Sequence, residues 1–371
     1  MKIRILFLSL ICFPLFLFSK NENTTLGANR WHIGINENIV WNVVTDKNLP
    51  HEDHLEMSGK KVSVIVTYKV DAHKNLSVNK LVVWPDMILK YDFRSYLMNT
   101  DSITPEISID GQKFKIPAIT SVSFNGILVF NYAKSKLEIK RSIDPSTTSS
   151  VIFDRWEIVN STSKKMDIEV KSFLQILNFK GAENSYSIKN RIGQQLVSLN
   201  KGEKFVVTIE HSASVSGAKE VAFDPRSELQ SRLSLISHIN ENLILRTPDS
   251  VLNREFQFAK LRAAESIFDT KLGLMHSPGG ELYYGGIWAN DQIEYAGPFF
   301  SYLGYDIANE ASLNAYKIFM RTMTPEFKPI PSSYEMQGDL VHRGAGDRGD
   351  ASMYAWGASL YALTHGVHLL M

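Results

Sequence analysis

Two glycine-rich segments carry the side chains best suited to chemistry in this sequence. The first, residues 279–291, reads GGELYYGGIWAND. Trp288 and Asp291 are three residues apart, a spacing that at a helix N-terminus puts the indole and the carboxylate on one face. An aromatic face beside a carboxylate suits a sugar ring, because the ring's C–H groups pack on the indole while its hydroxyls donate to the charged acceptor. We therefore predict that Tyr283, Tyr284, Trp288 and Asp291 bind substrate.

The second segment, residues 344–351, reads GAGDRGDA and precedes a predicted helix. Arg348 lies between Asp347 and Asp350, and the glycines would let its guanidinium approach a ligand and hold sugar hydroxyls. The alternative is that Asp347 or Asp350 caps the helix and that Arg348 only pairs with one of these two acids. For the first segment, the alternative is that the aromatics form a helix-packing core and that Asp291 complements the helix dipole. The residues alone leave both alternatives open.

Composition and motif content exclude several other classes of protein. Forty Lys+Arg against 39 Asp+Glu give a formal net charge of +1, which disfavours nucleic acid and acidic membranes as partners and favours a neutral glycan. The single cysteine, Cys12, lies in an N-terminal apolar run, so the mature chain has neither disulfides nor a thiolate zinc cluster. No His-Glu-x-x-His, Walker or dinucleotide motif is present, and residues 51–54, HEDH, are interpreted as a solvated loop. We predict no metal and no cofactor.

The N-terminus has the pattern of a secretory signal peptide. Lys2 and Arg4 precede an apolar run over residues 5–18, and the small residue Ser19 follows it. The run is shorter than the ~20 residues that a membrane-spanning helix needs, which disfavours the alternative of an uncleaved anchor. We therefore predict a signal peptide over residues 1–19. The mature protein would be exported to the periplasm, the cell surface or the medium, with no membrane span after cleavage.

Residues 22–223 alternate between apolar and polar side chains in the manner of strands. Asp110-Gly111 and Asn125-Gly126 separate such runs, and both dipeptides favour hairpin turns because they tolerate positive φ. Further alternating runs cover residues 62–68, 137–141, 151–159, 166–174 and 205–211. Many short strands with this turn chemistry predict a large antiparallel β-sandwich domain.

Beyond Phe223 the apolar period changes to that of helices. Residues 224–246 are predicted to hold a linker helix, and Thr247 is predicted to cap the next one, which would reach Ile267. Later stripes predict helices over residues 309–321 and 353–363, and Gly297-Pro298 should kink or end a helical stretch over residues 289–303. The connection over residues 324–349 is long for a structureless loop, which favours a functional role.

A β-sandwich, a linker helix and then helices joined by glycine- and aromatic-rich loops resemble the six-hairpin glycoside hydrolases and phosphorylases. Their catalytic unit is an (α/α)₆ toroid that follows a supersandwich domain. In this family an aromatic-x-x-Asp element holds the sugar in the subsite being cleaved, and Trp288 with Asp291 matches it. The resemblance covers roughly residues 245–366 and implies an N-terminal β-sandwich followed by an incomplete (α/α)₆ toroid, with residues 247–371 as its first hairpins.

The resemblance also implies an activity. It predicts the N-terminal part of an inverting glycoside hydrolase that acts on a neutral oligo- or polysaccharide, with the general acid and base on later hairpins. Among the acids present, Asp347, Asp350 and Glu335 are the ones expected on loops at the mouth of the toroid, so they are the candidate catalytic residues. Two alternatives stay open: a non-catalytic exported glycan-binding protein whose sandwich binds the glycan, and a polysaccharide lyase.

Overall fold

The computed structural model describes residues 30–34, 38–43, 48–88, 95–100, 103–181, 183–277, 286–326, 328–335, 341–342 and 348–366. The predicted signal peptide, residues 1–19, lies outside the described residues. In the described part of the chain, no helix has both the length and the apolar character needed to cross a bilayer.

Residues 32–215 form antiparallel sheets that share one apolar core, in the manner of a β-sandwich. The largest sheet has nine strands, in the order β1 (His32–Ile33), β2 (Ile39–Asn42), β9 (Ile119–Phe124), β10 (Leu128–Tyr132), β11 (Leu137–Pro145), β12 (Val151–Asn160), β17 (Lys204–Val215), β15 (Ser185–Ile192) and β14 (Phe173–Lys180). A second has the order β3 (His51–Ser58), β4 (Ser63–Val70), β5 (Leu76–Ile88) and β6 (Ser95–Asn99), and a third β16 (Gln195–Leu199), β13 (Met166–Val170), β7 (Ile107–Ile109) and β8 (Gln112–Lys113). All three contribute buried side chains to the core, among them Phe130, Val66 and Ile168.

Both predicted hairpin turns are confirmed, with different backbones. Asp110 and Gly111 have φ of 48° and 78° and join β7 to β8, as a type I′ turn requires. Between β9 and β10 Gly126 alone of the predicted pair has positive φ, 96°. A Cβ at Gly126 would lie 2.8 Å from the side chains of Ile236 and Leu261, so this glycine also permits close packing of helices on the turn.

The interpretation of residues 51–54 as a solvated loop is wrong. These residues begin β3, and His51 is buried with its ring stacked 4.1 Å from that of Trp41. Its Nε2 lies 2.9 Å from the hydroxyl of Tyr68. The alternation of buried and exposed residues along β3 overrides the polar composition of its start. Within the described ranges, no group of three or more His, Cys, Asp or Glu side chains is placed to hold a metal ion.

The other elements of the described residues are helices and two small sheets. The helices are α1 (Pro225–Glu241), α2 (Ser250–Glu265), a π-helix (Asp291–Tyr295), α3 (Ala296–Phe300), α4 (Asp306–Met320) and α5 (Arg348–His365). The small sheets are the pair β18 (Ile267–Thr270) and β19 (Gly273–His276), and the triplet β20 (Gly286–Trp288), β21 (Ser333–Glu335) and β22 (Val341–His342). A helix is thus found, as α1, within residues 224–246, where the linker helix was predicted.

The cap of α2 differs from the prediction. Asp249, not Thr247, is the N-cap, and its Oδ1 accepts hydrogen bonds from the backbone N–H of Val251 (2.8 Å) and Leu252 (3.3 Å). Thr247 instead donates its hydroxyl to the Asp249 carbonyl at 3.1 Å, which braces the turn before the helix. The helix ends at Glu265, and Ile267 belongs to β18.

The face of α5 also differs from the predicted stripe. Trp356 and Leu363 are 46% and 82% exposed, whereas Tyr354 and Tyr361 are buried. The buried side includes Gly357, whose small size lets α5 approach the π-helix closely.

A buried arginine of α1 joins the helices to the sandwich. Arg232 is fully buried and donates to the carbonyl oxygen of Gly126 through Nε (3.1 Å) and Nη2 (2.8 Å), and to that of Ser58 through Nη1 (2.9 Å). Its Nη2 also forms an ion pair with the carboxylate of Glu265, at the end of α2. One guanidinium therefore contacts a hairpin turn, the end of β3 and a second helix.

Replacement of this arginine should be strongly destabilising. We expect Arg232→Met to lower the free energy of unfolding by about 3–5 kcal/mol, because it leaves Glu265 buried without this partner. Arg226→Gln, at an exposed position of the same helix, should change it by less than about 0.5 kcal/mol. Urea unfolding followed by circular dichroism measures both. Equal effects of the two substitutions would contradict the role assigned to Arg232.

Candidate functional site

The three-stranded sheet brings together two segments that are distant in sequence, residues 286–288 and residues 333–335. β20 pairs with β21 in the register Gly286 with Glu335, Ile287 with Tyr334 and Trp288 with Ser333. The backbone N–H of Ala289 extends the ladder by donating to Ser332 O at 2.8 Å. The connection over residues 324–349 is therefore not structureless, as it contains β21 and β22.

The two faces of this small sheet have different neighbours. Ile287 and Tyr334 are buried in the core formed with the helices, where the Tyr334 ring meets Phe319 of α4 edge-on at 5.2 Å between centroids. Because alternate residues of a strand point to opposite faces, Trp288 and Glu335 share the other face and are diagonal neighbours there. Gly286, directly opposite Glu335, adds no side chain to that face.

Glu335 lies in a different setting from the predicted one. It was expected on a loop at the mouth of the toroid, but it belongs to β21 and only 2% of its surface is exposed. The pairing of β21 with β20 buries Glu335. A strand of three residues is too short to give a recognisable pattern in the sequence, so this burial could not be predicted. Trp288 is half-buried, so part of its surface stays accessible beside Glu335 on the shared face.

Trp288 and Asp291 are not on one face of a helix, as their spacing suggested. Trp288 is the last residue of β20, and Asp291 is the first residue of the π-helix. The backbone pairing with β21 holds Trp288 extended, so the helix starts after it. The backbone N–H of Asp291 donates to Oδ1 of Asn290 at 2.9 Å, and the N–H of Ala296 closes the π-helical bond to Asp291 O.

Close backbone contacts fix the π-helix that begins at Asp291. A Cβ at Gly297 would lie 1.8 Å from the Gln292 carbonyl oxygen, so only glycine fits there. The Gln292 side chain donates through Nε2 to His276 O at 2.9 Å, and the hydroxyl of Tyr316 donates to Gln292 O at 3.4 Å. The predicted break at Gly297-Pro298 is in fact a change of helical register before Gly297, after which α3 runs on to Phe300.

Helix α5 holds the other side of the π-helix. A Cβ at Gly357 would lie 2.7 Å from Ile293 O and 2.9 Å from the hydroxyl of Tyr316. The Tyr354 hydroxyl donates to Tyr316 O, and the two rings meet edge-on at 5.7 Å. The backbone around Asp291 is therefore enclosed by residues from β19, α4 and α5.

Burial shifts the pKa values of groups around the π-helix. Desolvation raises the pKa of Asp291, because the half-buried carboxylate has lost part of its hydration. Desolvation also lowers the pKa of His276 to about 4, and its Nδ1 lies 2.8 Å from Oγ of Ser266. His276 is thus neutral near pH 7 and acts as a structural support. The sequence analysis missed His276 and Gln292, whose side chains carry no recognisable motif.

The structure assembles only part of the predicted set. Trp288, Asp291 and Glu335 are gathered around β20 and the π-helix. Arg348 and Asp350 lie in the first turn of α5, whose backbone is described there although these two side chains are not. Tyr283, Tyr284 and Asp347 lie outside the described residues.

Comparison with known proteins finds similarity to solved structures. No family model matches the sequence, and no curated protein matches it. Among solved structures, the chain is similar to a putative kojibiose phosphorylase from the human microbiome, with a TM-score of 0.55 and 11% sequence identity. The match covers 92% of this chain and 58% of that chain. At this identity the likeness establishes a shared fold, over about three fifths of the length of the phosphorylase.

Gly297 provides a test of the packing around the π-helix. We expect Gly297→Ala to lower the free energy of unfolding by about 1–3 kcal/mol, because its Cβ would displace the Gln292 carbonyl. Gly193→Ala is the matched control, since a Cβ at Gly193 meets nothing within 4 Å. Chemical denaturation compares the two. If Gly297→Ala proved as mild as the control, the close contact at Gln292 would be refuted.

Asp291 should reduce stability at neutral pH. The pKa of Asp291 is higher in the folded protein than in the unfolded chain. Ionisation of Asp291 therefore lowers the free energy of unfolding, fully at pH values above the folded-state pKa. This loss of stability disappears below the unfolded-state pKa of about 4, where the group is protonated in both states. We expect Asp291→Asn to raise the melting temperature at pH 7.5, with the gain fading towards pH 3.5. Asp249→Asn, at an exposed cap where Asn caps equally well, is the control. A lower melting temperature for Asp291→Asn at pH 7.5 would mean that the carboxylate is structural.

Proposed function

We propose that the chain is the N-terminal part of an exported carbohydrate-active enzyme of the six-hairpin type. In this proposal residues 1–19 are the signal peptide, residues 22–223 the sandwich domain, residues 224–246 the linker and residues 247–371 the first hairpins of an (α/α)₆ toroid. The observation that carries it is the fold shared with a carbohydrate phosphorylase over 92% of the chain. The order of sandwich, linker helix and helices supports it independently.

The sugar would be held by an aromatic ring and a partly dehydrated carboxylate. Trp288 offers the accessible part of its indole, and Asp291 follows three residues later at the start of the π-helix. A carboxylate that has lost water gains more from sugar hydroxyl donors than a fully hydrated one, because those donors replace the lost hydration. We propose that the same sugar is also bound by Tyr283, Tyr284 and Arg348.

The proposed reaction is hydrolysis of a neutral glycan with inversion. A carboxylic acid protonates the leaving oxygen while a carboxylate activates water on the opposite face, and the two groups are ~6.5–9.5 Å apart in such enzymes. Glu335, Asp347 and Asp350 are the candidates in this chain, and later hairpins supply the acid and base in the enzymes it resembles. No cofactor is proposed.

Phosphorolysis is the second candidate, favoured by the phosphorylase that shares the fold. Protonation of the leaving oxygen is the same in both reactions. Inorganic phosphate replaces the activated water as nucleophile, so the product is a sugar 1-phosphate and the base is not needed.

An assay with the complete gene product separates these reactions. The protein is incubated with kojibiose and other neutral glucobioses, with and without inorganic phosphate, and the products are identified by NMR. Free sugar of inverted anomeric form supports hydrolysis, and a sugar 1-phosphate formed only with phosphate supports phosphorolysis. If neither product forms from any neutral glycan but the sugars still bind, the non-catalytic alternative replaces the proposal.

Substitutions at Asp291 and Glu335 test the roles proposed for these two residues. We expect Asp291→Asn to lower kcat/KM by at least about tenfold, as loss of one hydrogen bond to a charged group implies. Glu335→Gln should lower kcat with little change in KM if Glu335 takes part in proton transfer. Asp269→Asn, at an exposed position of β18, is the control and should behave as the native protein. Native kinetics for Asp291→Asn would exclude it from substrate binding.

A further inference from the structure

A second site is suggested by a groove in the sandwich, far along the chain from Trp288 and Asp291. β5 is 13 residues long and β6 only 5, and within the described residues β6 pairs with β5 from Leu81 to Ile88. The first residues of β5 therefore run past β6, paired to β4 alone among the described strands. The groove beside them has a volume of about 650 Å³. Its lining includes Thr67, Ser77, Asn79, Tyr132, Arg141 and Trp156.

The wall of the groove on the nine-stranded sheet is a packed row of large side chains. Arg141 lies over the Trp156 indole at 4.8 Å, and the Tyr132 ring stacks on that indole at 5.9 Å and 22°. The indole is packed by these contacts and is only 1% exposed. Among the described residues its Nε1 donor has no hydrogen-bond acceptor. A buried N–H without an acceptor is unfavourable, and a ligand oxygen would supply one.

Each charged side chain of the lining is paired with a carboxylate. Arg141 donates to both carboxylate oxygens of Asp154, through Nε at 2.8 Å and Nη2 at 2.6 Å, and the same carboxylate accepts from Nζ of the buried Lys80 at 2.6 Å. Lys69, on the rim, lies 3.0 Å from the carboxylate of Glu52. The other hydrogen-bonding side chains of the lining are neutral, and they include the hydroxyls of Thr67 and Ser77 and the amide of Asn79. Neutral donors and acceptors around an indole N–H fit an uncharged, hydroxyl-rich ligand.

We propose that this groove is a second carbohydrate-binding site, which takes one or two rings of a neutral glycan. A sugar hydroxyl oxygen accepts from Nε1 of Trp156, and the other hydroxyls exchange hydrogen bonds with Thr67 and Asn79. No bond is made or broken there. The site holds the glycan on the sandwich and is distinct from the one proposed around Asp291.

The test is calorimetric titration of the full chain. The probes are kojibiose, maltose, cellobiose, lactose, mannobiose and xylobiose, each added to the native protein and to Asp291→Asn. We expect at least one of these sugars to bind Asp291→Asn with native affinity, because the groove does not involve Asp291. Binding should weaken by about tenfold or more in Trp156→Phe, which keeps an aromatic ring but lacks the N–H, and in Thr67→Val.

Matched controls separate the groove from general effects of substitution. Trp84 is fully buried like Trp156, but its Nε1 donates to Ser150 O at 3.3 Å and it does not line the groove. Trp84→Phe should therefore leave sugar binding unchanged. Thr208 lies in β17 and does not line the groove, so Thr208→Val, the control for Thr67→Val, should leave it unchanged too. Thr67→Val, on the rim, decides the matter if Trp156→Phe fails to fold.

Three results would overturn the proposal. The first is binding by Trp156→Phe or Thr67→Val with native affinity. The second is loss of all sugar binding in Asp291→Asn, which would place the binding at the other site alone. The third is absence of binding by every probe sugar. The enzyme assay above is independent of these outcomes, so failure of the groove and failure of the proposed activity are distinguishable.

Discussion

The guanidinium of Arg232 lies where the sandwich and the helices meet, removed from water. It is satisfied by the carbonyls of Gly126 and Ser58 and by the carboxylate of Glu265, which come from three distant parts of the chain. A buried cation that loses such partners is strongly unfavourable, so other ways of packing α1 against the hairpin are disfavoured. The absence of a side chain at Gly126 lets Ile236 and Leu261 close over the same turn. The hydrogen bonds of Arg232 and the apolar packing on Gly126 therefore favour the same arrangement of the helices on the hairpin.

This arrangement fixes the elements that carry the candidate site. α2 leads directly into β18 and β19, and β19 supplies the His276 carbonyl that anchors the side chain of Gln292. Gln292 in turn holds the first turn of the π-helix, where Asp291 lies. The groups that position Asp291 are thus neutral and buried, and the charged group that they position is the one whose pKa is raised by burial. The residues that hold the π-helix in place are therefore different from Asp291, the residue proposed to bind the sugar.

Local patterns were enough to predict much of the fold, and non-local pairing explains what they missed. The alternating runs, the two hairpin turns and the linker helix follow from side-chain period and turn chemistry, which act over a few neighbours. Trp288 was placed on a helix because a three-residue strand has no detectable period, and its partner Ser333 is remote in sequence. In α5 the apolar stripe predicted that Trp356 would be buried. The close approach of α5 to the π-helix at Gly357 instead buries Tyr354 and Tyr361. For the site, residue types indicated Trp288 and Asp291, while the neighbourhood of Glu335 required the tertiary structure.

The shortness of β20 and β21 has a consequence for how the molecule assembles. Each has three residues, and the chain between them contains α3 and α4. Closing so long a loop for so few hydrogen bonds is unfavourable until the intervening helices have packed. The long hairpins of the sandwich, such as β11 with β12, have no such requirement. The sandwich can thus form first and serve as a template, and local opening of the small sheet would separate Trp288 from Glu335 while the rest of the fold persists.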